Sequence, residues 1–465
     1  MRWLSSVSGR FGSVRRDERL AQARHRFTCL RLPDDLKPVN SKASRKAGAI
    51  ACCAVLLSFI VVLAGCGGGS SSSSPTPTPT PTPDGSFAPA ASLPTMNQGR
   101  DSATATLLPN GKVLVAGGFS LGPTGSVVSL ANVELYDPAT NTFAPPGSTP
   151  TMNQARGSAT ATLLPSGKVL IAGGVNAPGD GVNSILTSVE LYDPATNTFA
   201  PPGSTPSMNE ARANGGNGDL VSVLLANGKV LIAGGVDSFG VGLDTVELYD
   251  PATNTFAPAA SLPMMNSHRD GPTGTSLPNG EALLAGGFER PFGFTSIVSD
   301  TIDLYDPVTN SFAPAASTPT MNSPRTNAAA ALLPNGMVLI AGGTAPGPER
   351  SSAFGGVFLA SVDLYDSATN SFAPPATTPT MNEPRCCGLT ATLLQNGKVL
   401  ITQGGQPADN TVDLYDPTTN TFAPAALLPK MNQTRVQATA TLLPNGKVLI
   451  AGGGLLLNTI ELYTP

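Results

Sequence analysis

From residue 84 onward, one pattern of apolar and polar positions returns about every 50 residues. In the first copy Arg100 precedes Asp101-Ser102-Ala103-Thr104-Ala105-Thr106-Leu107-Leu108, an alternating run with the period of a half-buried strand. Pro109-Asn110-Gly111 follows as a turn, because Asn and Gly tolerate positive φ. Lys112 to Ala116 is a second, continuously apolar strand, stopped by Gly117-Gly118. A connection of variable length leads to a third strand, Asn132 through Tyr136, and Asp137-Pro138-Ala139-Thr140-Asn141 turns the chain again. Thr142-Phe143-Ala144-Pro145 is a short fourth strand whose proline suits a sheet edge. Each copy thus predicts four antiparallel strands, a to d.

Counting the copies fixes the architecture. Seven arginines open them: Arg100, Arg156, Arg212, Arg269, Arg325, Arg385 and Arg435. The double glycine of Gly117-Gly118 recurs at 173–174, 234–235, 286–287, 342–343, 404–405 and 452–453. Tyr136 recurs at Tyr192, Tyr249, Tyr305, Tyr365, Tyr415 and Tyr463. The strand-d phenylalanines are Phe87, Phe143, Phe199, Phe256, Phe312, Phe372 and Phe422, and the first of them precedes the first arginine. The last copy ends at Leu462-Tyr463-Thr464-Pro465 without a strand d. Ser86-Phe87-Ala88-Pro89 is therefore expected to complete the last blade. The predicted fold is all-β: a seven-bladed β-propeller of four-stranded antiparallel blades over residues 84–465, its ring closed by an N-terminal strand.

The order of arginine, apolar strand, Gly-Gly, tyrosine and aromatic resembles the kelch repeat across residues 84–465. Gly117, Gly118, Tyr136 and Phe143 mark its structural positions in the first copy. Phe stands where the kelch pattern has Trp in strand d, and the only Trp of the chain is Trp3. Phe still fills the gap between blades but offers no indole N–H. The resemblance implies the fold and leaves activity open, because one scaffold hosts many chemistries.

Charge divides the chain. Residues 1–83 hold 12 Lys/Arg and 4 Asp/Glu, a net +8; residues 84–465 hold 15 and 27, a net −12. An acidic repeat domain argues against nucleic acid as partner. Residues 1–46 form a basic leader without helix or strand period. Residues 47–65 are an apolar run of 19 behind Lys42, Arg45 and Lys46, as in a secretory signal. Leu63-Ala64-Gly65-Cys66 resembles a bacterial lipobox, which implies lipidation of Cys66 and a place in the cell envelope, at the outer membrane or cell surface. The leader is longer than such a signal needs, so a start near Val39 is expected. Residues 66–83, rich in Gly, Ser, Pro and Thr, read as a tether.

The a–b and c–d turns lie on one face of a propeller, called the lower face here, and the b–c and d–a connections on the upper. The lower turns are nearly identical between copies, whereas the b–c loops vary, from 406–411 to 344–361. Variable loops on a rigid scaffold carry function. The upper face is therefore the expected binding surface for a glycan or a protein, presented by a monomer without cofactor or metal.

Two readings of the seven arginines compete. They could form an anion-binding funnel on the axis. Alternatively, they could pair with the acid of each strand c (Glu134, Glu190, Glu247, Asp303, Asp363, Asp413, Glu461), as buried charge requires. No catalytic residue is assigned. A carbohydrate-active enzyme of epimerase or lyase type is the alternative, using Asp180, Asp237, Glu289 or Glu349 with the arginines. Kelch-type propellers include the copper radical oxidases, whose site takes two histidines; His25 and His268 are the only histidines here, and just one is in the ring. His268 instead reads as a solvated loop residue, and the Asp-Pro-x-Thr-Asn turns as structural. Cys386 and Cys387 are expected as small buried residues of an inner strand, pointing apart, the alternative being a strained vicinal disulfide that needs the strand to distort.

Overall fold

The computed structural model describes residues 84–465 except 180, 214–219, 290–296, 348–355, 405–409 and 455. The leader, the apolar run, Cys66 and the tether lie outside the described residues, as do Asp180, Glu349 and Gly405.

Blade 1 consists of strands a (Thr104–Leu107), b (Val113–Ala116), c (Val133–Asp137) and d (Thr142–Phe143), paired antiparallel in that order. Six further sheets repeat it, so the chain is a seven-bladed β-propeller. Strand b shows why its sequence is apolar at every position. Val113 and Val115 pack against Leu449, Ala451 and Ile460 of blade 7, while Leu114 and Ala116 pack against Val169 and Ile171 of blade 2. A strand covered on both faces cannot alternate. Strand a lines the axis and is only partly buried. Among the described residues there are seven apolar clusters, one at each blade interface.

The amino-terminal strand closes the ring. Ser86 pairs with Thr464 and Phe87 with Tyr463, completing blade 7. Local chemistry is reproduced as well. In blade 1 the Tyr136 hydroxyl donates to Asn141 Oδ1 at 2.9 Å, fixing a turn in which Asn141 has φ 53°. Tyr463 has no such turn and donates to the Asp84 carbonyl at 3.0 Å. Its ring meets Phe87 at 5.3 Å between centroids, against 5.2 Å for Tyr136 and Phe143.

Two blades depart from the pattern. In blade 5, strand c is extended to Val357–Asp366 and also pairs with Thr344–Ala345 and Thr380–Arg385. In blade 6 the expected glycine pair 404–405 is displaced by one residue. Thr390 pairs with Thr402 as Thr104 pairs with Ala116, so Gln403 and Gly404 occupy the places of Gly117 and Gly118. Gln403 is fully buried at φ 72°. Its amide binds both backbone groups of Ala438 in blade 7, accepting from N at 2.7 Å and donating to O at 3.2 Å.

Candidate binding face and axial cavity

The arginines stand a few residues ahead of strand a and are 0–1% exposed. Arg100 Nη1 donates to the carbonyls of Gly117 (2.8 Å) and Asn132 (3.2 Å), and Nη2 donates to Glu134 Oε1 at 3.1 Å. Glu134 also accepts from the Gln98 backbone N–H and from Asn97 Nδ2, at 3.1 and 2.6 Å. This is the role of the repeated Met-Asn-x-x-Arg segment: Met96 is buried, Asn97 caps the carboxylate, and the arginine neutralises it. In two blades with Asp the contact runs through Nε, at 2.6 Å for Arg269–Asp303 and 2.7 Å for Arg385–Asp413, whereas Arg325 reaches Asp363 through Nη2. Arg156, Arg212, Arg325 and Arg435 pair likewise with Glu190, Glu247, Asp363 and Glu461. Burial lowers the Arg100 pKa, with Glu134 opposing the shift.

The double glycine belongs to the same joint. Gly118 N–H donates to the carbonyl of Arg156, the next blade's arginine, at 2.9 Å. Gly117 has φ 65°, and a Cβ there would stand 2.3 Å from that carbonyl. The series closes where Gly453 N–H meets the Arg100 carbonyl at 2.9 Å. None of the seven guanidinium groups lines the axis, so the arginine funnel is replaced by a girdle of internal ion pairs.

The axis holds a cavity of about 400 Å³ lined by strand-a residues, including Thr104, Thr160, Ser222, Thr273, Thr390 and Thr439. Among the described residues, no titratable side chain lines it. Its upper mouth is ringed by residues in left-handed conformation: Ser102, Ser158, Gly271, Asn327, Cys387 and Gln437. Neighbours in this ring are joined through the backbone, with Ser158 N–H donating to Ser102 O at 3.0 Å and Ser102 N–H to Gln437 O at 3.2 Å. Asp101 lies beside it, and burial pushes its carboxyl up to about 6 against a hydrogen bond with Ser102.

Cys386 and Cys387 are disulfide-bonded. This corrects the inner-strand expectation: both precede strand a of blade 6 (Thr390–Leu393), and φ 60° at Cys387 breaks the alternation that would point them apart. His268 faces Gly242 O (Nδ1, 2.9 Å) and Asp244 (Nε2, 3.7 Å). Asp237 caps its own loop, its Oδ1 accepting from the N–H groups of Phe239 and Val241 at 2.8 and 2.9 Å. Glu289 lies in the short strand Phe288–Glu289 above blade 4.

Short strand pairs rise from the upper face. In blade 1, Phe119–Leu121 pairs with Val127–Ser129. That hairpin is tied to blade 2 by Ser129, whose N–H donates to Ala177 O and whose hydroxyl donates to Val175 O, both at 2.8 Å.

The Kelch motif family matches residues 157–205 and 220–263, which hold blades 2 and 3. No curated protein matches the sequence. Among solved structures the chain is similar to a fungal alcohol oxidase of the AA5 family in complex with copper. That match has 17% identity and a TM-score of 0.59, covering 82% of this chain and 76% of the other. The chain is also similar to YjhT, with 16% identity, a TM-score of 0.47, and 71% and 99% covered. The class shown is thus a seven-bladed β-propeller with Kelch motifs in blades 2 and 3. Among the described residues His268 is the only histidine. Among the described residues no group of three or more His, Cys, Asp or Glu is placed to hold a metal ion.

Proposed function

We propose that this chain is a lipid-anchored, extracytoplasmic propeller acting as a non-catalytic binding module for a glycan or a protein, through its upper face. The observation that carries this reading is the contrast between the faces. The lower turns repeat almost unchanged, while the upper b–c connections differ in length and carry short strand pairs above blades 1, 2, 4 and 5. The chain enters the ring at Asp84 on the lower face, beside Lys398.

The alternative is a carbohydrate-active enzyme using loop carboxylates and arginine at the axial mouth. The internal pairing of the arginines weighs against it, and Asp237 is engaged in capping its own loop. A thermal-shift panel of mono- and oligosaccharides, acidic glycans and divalent metals tests the binding reading. A ligand at about 100 times its Kd adds roughly 2.7 kcal/mol. The expected shift is abolished by shortening the 119–132 hairpin and unaffected by changes in the lower turns. A ligand whose shift survives the shortened hairpin and is lost with the lower turns would overturn it.

A further inference from the structure

We infer that the upper face docks a cationic, amphipathic polypeptide segment; this rests on the upper face being the binding surface and names the partner. Three observations converge on it. The first is exposed apolar side chains. Of the nine large hydrophobics exposed among the described residues, six sit in the b–c connections of five successive blades: Leu121, Val127, Val182, Phe239, Ile297 and Val357. Val182 is 92% exposed and Phe239 84%. Isolated apolar residues on a surface are ordinary, but a concentration on one face marks an interaction site.

The second observation is that two of these loops are held in place. Asp237 caps the turn that projects Phe239, and Ser129 fastens the hairpin carrying Leu121 and Val127 to blade 2. Side chains presented on fixed loops lose little entropy on binding.

Charge distribution is the third. Along the sequence, the seven b–c connections contain seven acids, two arginines (Arg290 and Arg350) and no lysine. Five of the six lysines of residues 84–465, namely Lys112, Lys168, Lys229, Lys398 and Lys447, lie in the a–b turns of the opposite face. Glu210, Asp237, Asp244, Glu289 and Asp300 are all partly exposed on the upper face. Apolar tips among acids complement a segment carrying apolar and basic side chains together. Such charges steer encounter and reject acidic partners.

The test uses the full chain, immobilised, with two synthetic probes of equal length: an amphipathic Lys/Leu peptide and its Glu/Leu counterpart. The Lys/Leu peptide is expected to bind and the Glu/Leu peptide not. Its affinity should fall at least about tenfold between about 50 and about 300 mM salt as the charges are screened. Phe239→Ser with Val182→Ser should weaken it about tenfold or more, as loss of central apolar anchors does. Val308→Ser, at an exposed apolar residue of a lower turn, should leave it unchanged. Equal binding of both peptides, binding of neither, or insensitivity to Phe239→Ser with Val182→Ser would overturn the inference. A glycan whose thermal shift is lost in that same double variant, with no peptide bound, would overturn this partner while leaving the upper-face reading standing.

Discussion

In blade 1, two charge pairs sit on the same sheet. Arg100 and Glu134 are each 1% exposed and 3.1 Å apart; Lys112 and Asp137 are 44% and 27% exposed and 3.2 Å apart. The distances barely differ, yet the repeats treat the pairs differently. All seven blades keep the arginine and its acid. The lysine is replaced by Glu281 in blade 4 and Met337 in blade 5, and in blade 7 Lys447 stands on a blade whose strand c ends at Thr464 in place of Asp. Separation alone does not set the worth of an ion pair; what each charge loses when its partner leaves does. Water takes over at Lys112. Nothing takes over at Arg100, whose Nη1 already holds the Gly117 and Asn132 carbonyls and whose Nε is buried without a partner.

The sharpest way to break the comparison is to remove one buried partner. Glu134→Ala strands the Arg100 guanidinium and deprives Asn97 and the Gln98 N–H of their acceptor. The expected loss is about 3–5 kcal/mol, the usual cost of an orphaned buried charge. Urea unfolding checks it, and a loss under about 1 kcal/mol would place this pair with surface pairs.

Gly117→Ala attacks the same joint through the backbone. Its left-handed φ and the Arg156 carbonyl at 2.3 Å from a Cβ both oppose the methyl group. The expected cost is about 1–3 kcal/mol. Blade 6 shows how a side chain can be accommodated there, since Gln403 offsets the strain with two hydrogen bonds to Ala438. Gln403→Gly should therefore destabilise, although it restores the glycine of the other six blades. A gain in urea midpoint would show those bonds to be worth less than the strain.

These two positions show what was legible in the sequence. Blade number, ring closure and the Arg–acid pairing could be read because each rests on a count: seven arginines, seven acids, and a strand-d aromatic placed before the first arginine. The displaced glycine of blade 6 could not. Gly404-Gly405 imitates the motif, and only the pairing of Thr390 with Thr402 reveals that Gln403 takes the glycine's place. The Cys386–Cys387 bridge stood only as the lesser alternative for a related reason: strand alternation was assumed where the backbone turns left-handed. The role of Asn in Met-Asn-x-x-Arg was available in principle, since a repeated polar residue beside a buried acid is a candidate cap. The occupant of the upper face is illegible from repeats, because the loops that form it are what the copies do not share.

Asp101 is a third kind of charge, buried beside the axial mouth, and its effect on stability is expected to be smaller. Its pKa rises from 3.8 to about 6 because burial disfavours the carboxylate. The folded chain thus holds a proton that the unfolded chain releases near 3.8. The resulting stabilisation is complete below that value and is lost as pH rises through about 6. Asp101→Asn should flatten the fall in urea midpoint between about pH 4 and about pH 7 without altering the response to more acidic conditions. An unchanged slope would assign it to other groups.

The smallest effect is expected at the exposed pair, where blade 5 has already made the substitution. Asp137 is held below the usual carboxylate range first by the Ala139 N–H, with Lys112 contributing less. Lys112→Met removes the lesser partner and keeps an unbranched side chain of similar length. Its cost should be under about 0.5 kcal/mol and should shrink further in high salt. Asp137→Ala removes the acceptor of the Ala139 N–H as well and should cost more, about 1 kcal/mol, at any salt concentration. If Lys112→Met matched Asp137→Ala, the lysine would hold the turn. If it matched Glu134→Ala, the distinction between buried and exposed pairs would fail at the blade where it is drawn.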